Sequence, residues 1–182
     1  MIRVIAGKFK GKKLLVPKSA KPITDRIKTS IFDLIKEYVE GVNVLDLFAG
    51  SGNFAIEALS RGAKKAVIVE NDPEALGCIR TNLDKCNLKL QADVIKADAL
   101  NYLKIPKATF DIIMLDPPFP IPVENKIRLL RLALKHLNNN GLLIFRYPAH
   151  ENIKIKDSEG IIIYTKKYGI SQVAFVTKAT KA

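Results

Sequence analysis

Asp116-Pro117-Pro118-Phe119 directly follows the apolar run Phe110–Leu115. Two adjacent prolines fix φ and remove two backbone donors, so the Asp116 carboxylate and the neighbouring carbonyls form a rigid set of acceptors. Such a set recognises an N–H donor. An exocyclic amino group on a nucleobase is one such donor, and Phe119 offers a face for a base drawn out of its stack. A second segment, Asp46-Leu47-Phe48-Ala49-Gly50-Ser51-Gly52-Asn53, ends another apolar run, and its glycines allow a nucleotide-like cofactor close to the backbone. Glu70 comes twenty residues after Gly50, where an acidic side chain can accept from ribose hydroxyls, and Asn71 lies beside it. Asp98, followed by Ala99, ends a further run; it reads either as the acceptor for an adenine amino group or as the cap of a short helix. Gly50-Ser-Gly52-Asn-Phe-Ala55 also satisfies the dinucleotide pattern G-x-G-x-x-[GA], so this loop alone admits NAD as well as another adenosine cofactor.

These segments need a scaffold that brings strand ends together. From Asn43 onward, strand candidates NVLDLF, AVIVE, DVIKAD, FDIIMLD and GLLIFRY alternate with helix candidates. Most are continuous apolar runs, as in parallel strands covered on both faces. One helix follows Gly52 and ends at Arg61-Gly62. Another takes Asp72 as N-cap and Pro73 in its first turn, and a third spans about Val123 to Leu137 before Asn138-Asn139-Asn140-Gly141. The alternation predicts a doubly wound, mainly parallel α/β sheet. IIIYTKKYG and SQVAFVTK, with no helix between them, predict a closing antiparallel pair. Upstream, Arg3–Ala6 and Lys13–Val16 read as a hairpin with its charge at the turn. After Lys21-Pro22, Thr24 or Asp25 caps a helix with Ile27, Ile31, Leu34 and Ile35 inward, ending at Gly41.

The chain has 182 residues, 48% of them hydrophobic, which suits one domain at roughly 100 to 200 residues per domain. We therefore expect a single domain over 1–182, with 1–22 as a basic hairpin extension. Thirty Lys+Arg against eighteen Asp+Glu give +12. Residues 1–28 hold nine basic and one acidic residue, residues 152–182 six and two, and the middle is balanced. A surplus confined to the flanks suits a polyanion. Cys78, Cys86, His136 and His150 have no zinc-ligand spacing, so neither a disulfide framework nor a metal is expected. His136, at a helix end, reads as a capping or solvent-facing residue. No apolar run approaches the roughly 18 residues of a membrane span, and the opening lacks a signal-peptide core, so a cytoplasmic protein without membrane attachment is expected.

With DLFAGSG, Glu70, Asp98 and DPPF in this order, the chain resembles class I S-adenosylmethionine-dependent methyltransferases acting on amino groups of bases. Within them it is similar to the RsmD family of 16S ribosomal RNA guanine-N2 methyltransferases. The resemblance extends to the opening RVIAGKFKGKKL, Pro22, Thr24-Asp25-Arg26, Phe32 and Tyr168-Gly169. It implies a seven-stranded Rossmann-like sheet with an antiparallel last strand. It also implies S-adenosylmethionine at Asp46, Phe48, Gly50, Gly52, Asn53, Glu70, Asn71, Asp98 and Ala99, with Thr24 and Arg26 closing over it. Asp116, Pro117, Pro118 and Phe119 would hold the guanine. The implied partner is ribosomal RNA in an assembling small subunit, with Arg3, Lys8, Lys10, Lys12, Lys13, Arg26 and Lys28 toward phosphates. Three places depart from the family pattern: Phe9 where Trp is frequent, Phe145-Arg146-Tyr147-Pro148 where Glu is common, and Ile170-Ser171 in place of Asp-Thr.

The implied chemistry is direct displacement, in which a base nitrogen attacks the methyl group and orientation supplies most of the catalysis. N6-adenine methylation of RNA or DNA is the nearest alternative, since DPPF also accepts an adenine amino group. An NAD-dependent oxidoreductase leaves DPPF and the basic flanks unused. A non-catalytic RNA-binding module leaves the cofactor constellation unused.

Overall fold

The computed structural model describes residues 2–18, 23–105 and 108–179; the Lys21-Pro22 turn and Pro22 of the basic opening lie outside the described residues. The chain opens with β1 (Ile2–Arg3) and β2 (Lys13–Leu14), paired antiparallel with Ile2 opposite Leu14. Helix α1 (Asp25–Leu34) starts where the Thr24 hydroxyl accepts from the Ile27 N–H, and Ile27, Ile31 and Phe32 are buried. Leu34, expected inward, is 47% exposed, because the helix ends there and a 3-10 turn, Lys36–Tyr38, carries the chain onward between buried Ile35 and Val39.

The repeated core follows as β3 (Asn43–Leu47), α2 (Asn53–Ser60), β4 (Lys65–Glu70), α3 (Pro73–Lys85), β5 (Ala92–Lys96), α4 (Ala99–Leu103), β6 (Phe110–Leu115), α5 (Val123–Lys135), β7 (Leu137–Pro148), β8 (Gly160–Tyr168) and β9 (Ser171–Lys178). The seven strands after the hairpin lie in the order β5-β4-β3-β6-β7-β9-β8. β3 to β7 are mutually parallel, and β9 runs antiparallel between β7 and β8. This is the expected doubly wound α/β sheet with its reversed last strand and N-terminal hairpin. One hydrophobic cluster lies on each face. Strand order reverses between β3 and β6, and in open α/β sheets ligands bind beyond the carboxyl ends of the strands at that reversal.

Asn138–Asn140, which separate the expected helix from the expected strand GLLIFRY, are part of β7. Phe110 pairs with Leu137, a register shift follows between Phe110 and Ile112, and the Asp111 carboxylate accepts from the Asn138 amide and the Asn43 N–H. Side-chain bonds at Asp111 thus replace a tight turn. His136 sits at the C-cap of α5 as expected, yet it is buried, with ring nitrogens 3.1 Å from the Ala108 and Leu103 carbonyls.

Every residue of α2 is buried, because the N-terminal segment covers the side away from the sheet. Glu57 is the junction. Its carboxylate accepts from the Ile5 and Ala6 N–H groups at 2.8 and 3.0 Å, from Arg61 Nε at 2.8 Å, and lies 3.1 Å from Lys28 Nζ. Gly7, at φ +78°, passes so near the Ser60 carbonyl that a Cβ would lie 1.8 Å from its oxygen. Lys28, expected to reach RNA phosphate, is fully buried and donates to the Arg3 carbonyl and Asn53 Oδ1. It holds the N-terminal segment to the core instead. Burial pulls its pKa below the ordinary lysine value, while Glu57 and Asp25 act to restore it.

Removing one partner of a buried ion pair strands the other charge, at a cost of about 3–5 kcal/mol. Lys28→Met is expected to lose stability on this scale in urea unfolding. Lys10→Ala, at an exposed turn residue, stays within about 0.5 kcal/mol of the parent.

Candidate active site at the carboxyl edge of the sheet

Parallel register places the motifs side by side. Asp46 of β3 is opposite Met114 and Leu47 opposite Leu115, so Asp116 leaves β6 one residue beyond the pairing that ends β3. After Leu47 the chain bends sharply, with Phe48 at φ 58°, Gly50 at φ 56° and Gly52 at φ 71°. A positive φ at Phe48 is costly for a residue with a side chain, and such conformations concentrate at functional sites. Gly52 then begins α2, where a Cβ would meet Ile79 at 3.4 Å.

Glu70 stitches this bend to β4. One carboxylate oxygen accepts from the Gly50 N–H at 2.8 Å, the other from the Asn71 and Asp72 N–H groups at 2.7 and 2.9 Å. Asp98 caps α4 through Oδ1, which accepts from the Asn101 N–H at 2.9 Å. Both sequence-based readings of Asp98 fit the geometry, since the cap occupies one of its two oxygens.

Phe48, Val69, Glu70, Asn71, Asp72, Pro73, Ala97, Asp98, Ala99 and Pro118 line one cleft of about 410 Å³. Five of the sequence-predicted cofactor residues, Phe48, Glu70, Asn71, Asp98 and Ala99, therefore meet in one space, with Pro118 joining the DPPF segment to it. Other candidates lie deeper or elsewhere. Asp46 is buried and accepts from the Ala55 N–H at 3.1 Å, whereas the Asn53 side chain turns to Lys28 and away from the cleft. Thr24 caps α1 and Arg26 is exposed on it.

The cleft is acidic. Glu70, Asp72 and Asp98 line it, and no lining residue is cationic. A dinucleotide pyrophosphate is favoured by free backbone N–H groups at a helix N-terminus and opposed by carboxylates close to it. Here the Gly50 N–H is already bonded to Glu70. The arrangement suits an adenosine carrying positive charge, with apolar walls for the base and carboxylates for a ribose diol, and disfavours NAD.

Behind the acceptor segment lie three residues the sequence did not mark as functional. Buried Lys126 of α5 donates to the Phe119 carbonyl at 2.8 Å and to Glu151 Oε1 at 2.6 Å. The Pro118 carbonyl accepts from the Ile121 N–H at 3.1 Å, which leaves the half-buried Asp116 carboxylate and the carbonyl of buried Pro117 as the segment's candidate acceptors. Arg146 Nε donates to Asp116 Oδ1 at 2.7 Å, and its guanidinium lies 5.0 Å from the Phe119 ring centroid. Only the departure at Phe145-Arg146-Tyr147-Pro148 signalled anything unusual here; a buried lysine at Lys126 follows no local pattern.

The basic hairpin lies farther off. The Lys8 N–H donates to the Ser60 carbonyl at 2.8 Å and Lys12 Nζ to the Lys85 carbonyl at 2.5 Å. Those carbonyls end α2 and α3, which return antiparallel to the strands. The turn carrying Lys8, Lys10 and Lys12 is thus at the opposite edge of the sheet from Asp116.

The chain matches, over residues 2–177, the profile of a family described as "Conserved hypothetical protein 95". It is 41% identical to ribosomal RNA small subunit methyltransferase D of Haemophilus influenzae over 148 residues, 78% of this chain and 76% of that relative. The chain belongs to the RsmD family. A solved Escherichia coli chain, yhhF, provisionally described as a methyltransferase, superposes with TM-score 0.84 at 26% identity over 99% of both chains. A more distant chain, 18% identical with TM-score 0.70 over 83% of this chain and 48% of its own, shares the fold and is described as complexed with SAH. As in a class I methyltransferase fold, no helix among the described residues is long and apolar enough to cross a membrane.

Burial pushes the Asp46 carboxyl up to about 8, with Asp116 and Glu70 adding like-charge repulsion. Its unfolded value is about 3.9, so folding takes up a proton here between about pH 4 and 8, and this site's contribution falls as pH rises through that window. Asp46→Asn removes the penalty. The variant's urea midpoint is expected to match the parent below about pH 4 and to exceed it increasingly toward pH 8.

Proposed function

We propose that this RsmD-family chain binds S-adenosylmethionine in the acidic cleft and methylates the exocyclic N2 of a guanine in small-subunit ribosomal RNA. The observation that carries the reading is Pro118, which makes the base-acceptor segment a wall of the cofactor cleft. Support for RNA comes from the names of the relatives and from basic flanks; support for an amino group comes from Asp116 and the Pro117 carbonyl.

The cofactor supplies an electrophilic methyl group on a sulfonium when bound. The chain's residues do the rest. Glu70 holds the ribose, with lone pairs beyond those used by Gly50, Asn71 and Asp72; Asp98 and Ala99 flank the adenine; Asp46, beneath the bend, offers a carboxyl that a nearby sulfonium would favour ionised. Phe119 stacks on the extruded base. Asp116 and the Pro117 carbonyl accept its N–H groups and aim the nitrogen lone pair in line with the methyl. A new N–C bond forms as the C–S bond breaks with its electron pair left on sulfur, and the nitrogen's surplus proton passes toward Asp116 and then to solvent. Asp116 offsets the positive charge developing on nitrogen.

Thr24 and Arg26 stand at the start of α1, where they close over the cofactor in this reading. Exposed Arg3 and Lys13 lie on the hairpin strands, with Lys8, Lys10 and Lys12 at its far turn. Phosphates contacted there belong to RNA running across the α2–α3 face rather than to the target nucleotide. Lys28 has no such role. An RNA footprint of that length suits a folded rRNA segment in an assembling small subunit, which a cytoplasmic enzyme would meet.

Labelled methyl transfer to small subunits from cells lacking the endogenous activity, followed by nucleoside identification, tests the reading. N2-methylguanosine is expected; label in N6-methyladenosine would move the target to adenine. Asp116→Ala is expected to lower kcat by about 10²–10³-fold with S-adenosylhomocysteine affinity retained. Near-normal turnover in that variant contradicts the assignment.

A further inference from the structure

We propose that Arg146 is a positioning residue that selects the base: paired with Asp116, it holds that carboxylate as an acceptor-only group matched to the adjacent N1–H and N2–H donors of guanine. The inference rests on the guanine reading above and adds the residue that enforces it.

The placement follows from register. Leu115 of β6 is opposite Phe145 of β7, so Asp116 and Arg146 emerge as cross-strand neighbours. Arg146 is then pinned from three sides. Its Nε donates to Asp116 Oδ1 at 2.7 Å, its Nη1 to the Ser171 hydroxyl at 3.3 Å, and its guanidinium lies over Phe119. Both members of the pair are nearly buried, with side-chain exposures of 14% and 17%. One contact fixes the acceptor, and another fixes the stacking ring.

Protonation decides what Asp116 can recognise. An ionised carboxylate only accepts, on about four lone-pair sites, so the bond to Arg146 leaves room for two further donors. Guanine offers two adjacent donors, N1–H and N2–H. A neutral carboxyl instead has one O–H donor beside an acceptor, which matches the N1 acceptor and N6–H donor of adenine. An ionised Asp116 can accept a single N6–H of adenine but leaves the N1 acceptor facing a carboxylate oxygen, so its charge favours guanine.

The surroundings push Asp116 toward neutrality. Burial raises its pKa above the ordinary carboxylate value, and Arg146 acts against that rise. Asp46 on β3 adds a second carboxyl close by, and Glu70 lies beyond it on β4. From α5, Lys126 is committed to the Phe119 carbonyl and Glu151, and from β9 Ser171 is uncharged. Among the described residues Arg146 is the one cation within ion-pair distance of Asp116. Arginine stays charged throughout the usable pH range, so its hold does not lapse as pH changes.

The test compares wild type, Arg146→Leu and Arg146→Lys in two measurements. In the first, carboxyl-13C-aspartate NMR follows the titration of Asp116, assigned with Asp116→Asn. In the second, methyl transfer to under-methylated small subunits is followed from pH 6 to 9 with nucleoside identification, and S-adenosylhomocysteine binding verifies the folded site. In Arg146→Leu the Asp116 titration is expected to move upward. N2-methylguanosine formation at pH 7 should fall in step with the ionised fraction of Asp116, by about tenfold for each pH unit that the titration lies above 7, and recover toward pH 9. The remaining product at low pH should gain N6-methyladenosine, and Arg146→Lys should restore most of the neutral-pH rate. A Leu variant that binds S-adenosylhomocysteine normally, with wild-type Asp116 titration and a wild-type pH profile, overturns the proposal. Wild type that yields no N2-methylguanosine overturns the guanine reading and the base selection with it, while the NMR comparison still decides whether Arg146 fixes the charge.

Discussion

Parallel pairing of β3 with β6 is the constraint on which the site depends. With Leu47 opposite Leu115, both strands end at one edge, and the chain must leave them in two bends that share a wall. The first bend is drawn to β4 by Glu70, and the second is stiffened by two prolines. The same geometry crowds Asp46 and Asp116, two carboxyls that water reaches poorly. The protein meets that cost differently at each. Asp46 shifts its pKa upward and accepts a single backbone N–H, whereas Asp116 takes a guanidinium partner. Burial raises both carboxyls, and at Asp116 the guanidinium acts against that rise.

A second polar junction holds the scaffold behind the cleft. Glu57 and Lys28, both fully buried, join the N-terminal segment, α1 and α2. Through Asn53 this junction reaches the first residue of α2, just beyond the glycine bend. The N-terminal segment is therefore structural along its inner side and basic along its outer side. Its lysine-bearing turn caps the carboxyl ends of α2 and α3, where positive charge also complements the helix dipoles. Contact with RNA and support of the helices are roles the same lysines can share.

Much of this architecture was readable from local pattern. Five apolar runs alternating with capped helices specify a parallel sheet, and Asp72-Pro73 marks the start of α3 to the residue. The cleft residues Phe48, Glu70, Asn71, Asp98, Ala99 and Pro118 were readable for the same reason, because each lies at or within three residues of a strand's carboxyl end, where strand ends converge. What escaped was set by partners distant in sequence. Lys28 looked like one more member of a basic flank, yet its surroundings come from Glu57, Asn53 and Arg3. That β7 begins before GLLIFRY escaped because Asn138–Asn140 read as turn residues, which cannot reveal that Asp111 will bond Asn138 and extend the strand. Arg146 was visible only as a departure from a pattern; its meaning required the register that sets it beside Asp116.

In the proposed reaction the cofactor and the target base meet at the β3–β6 strand ends. A crystal structure with S-adenosylhomocysteine tests this most directly. The account predicts the ribose hydroxyls on Glu70, the adenine beside Asp98 and Ala99, and the sulfur facing Asp116 across Pro118. A ligand seated elsewhere, or one whose sulfur points away from Asp116, would contradict it.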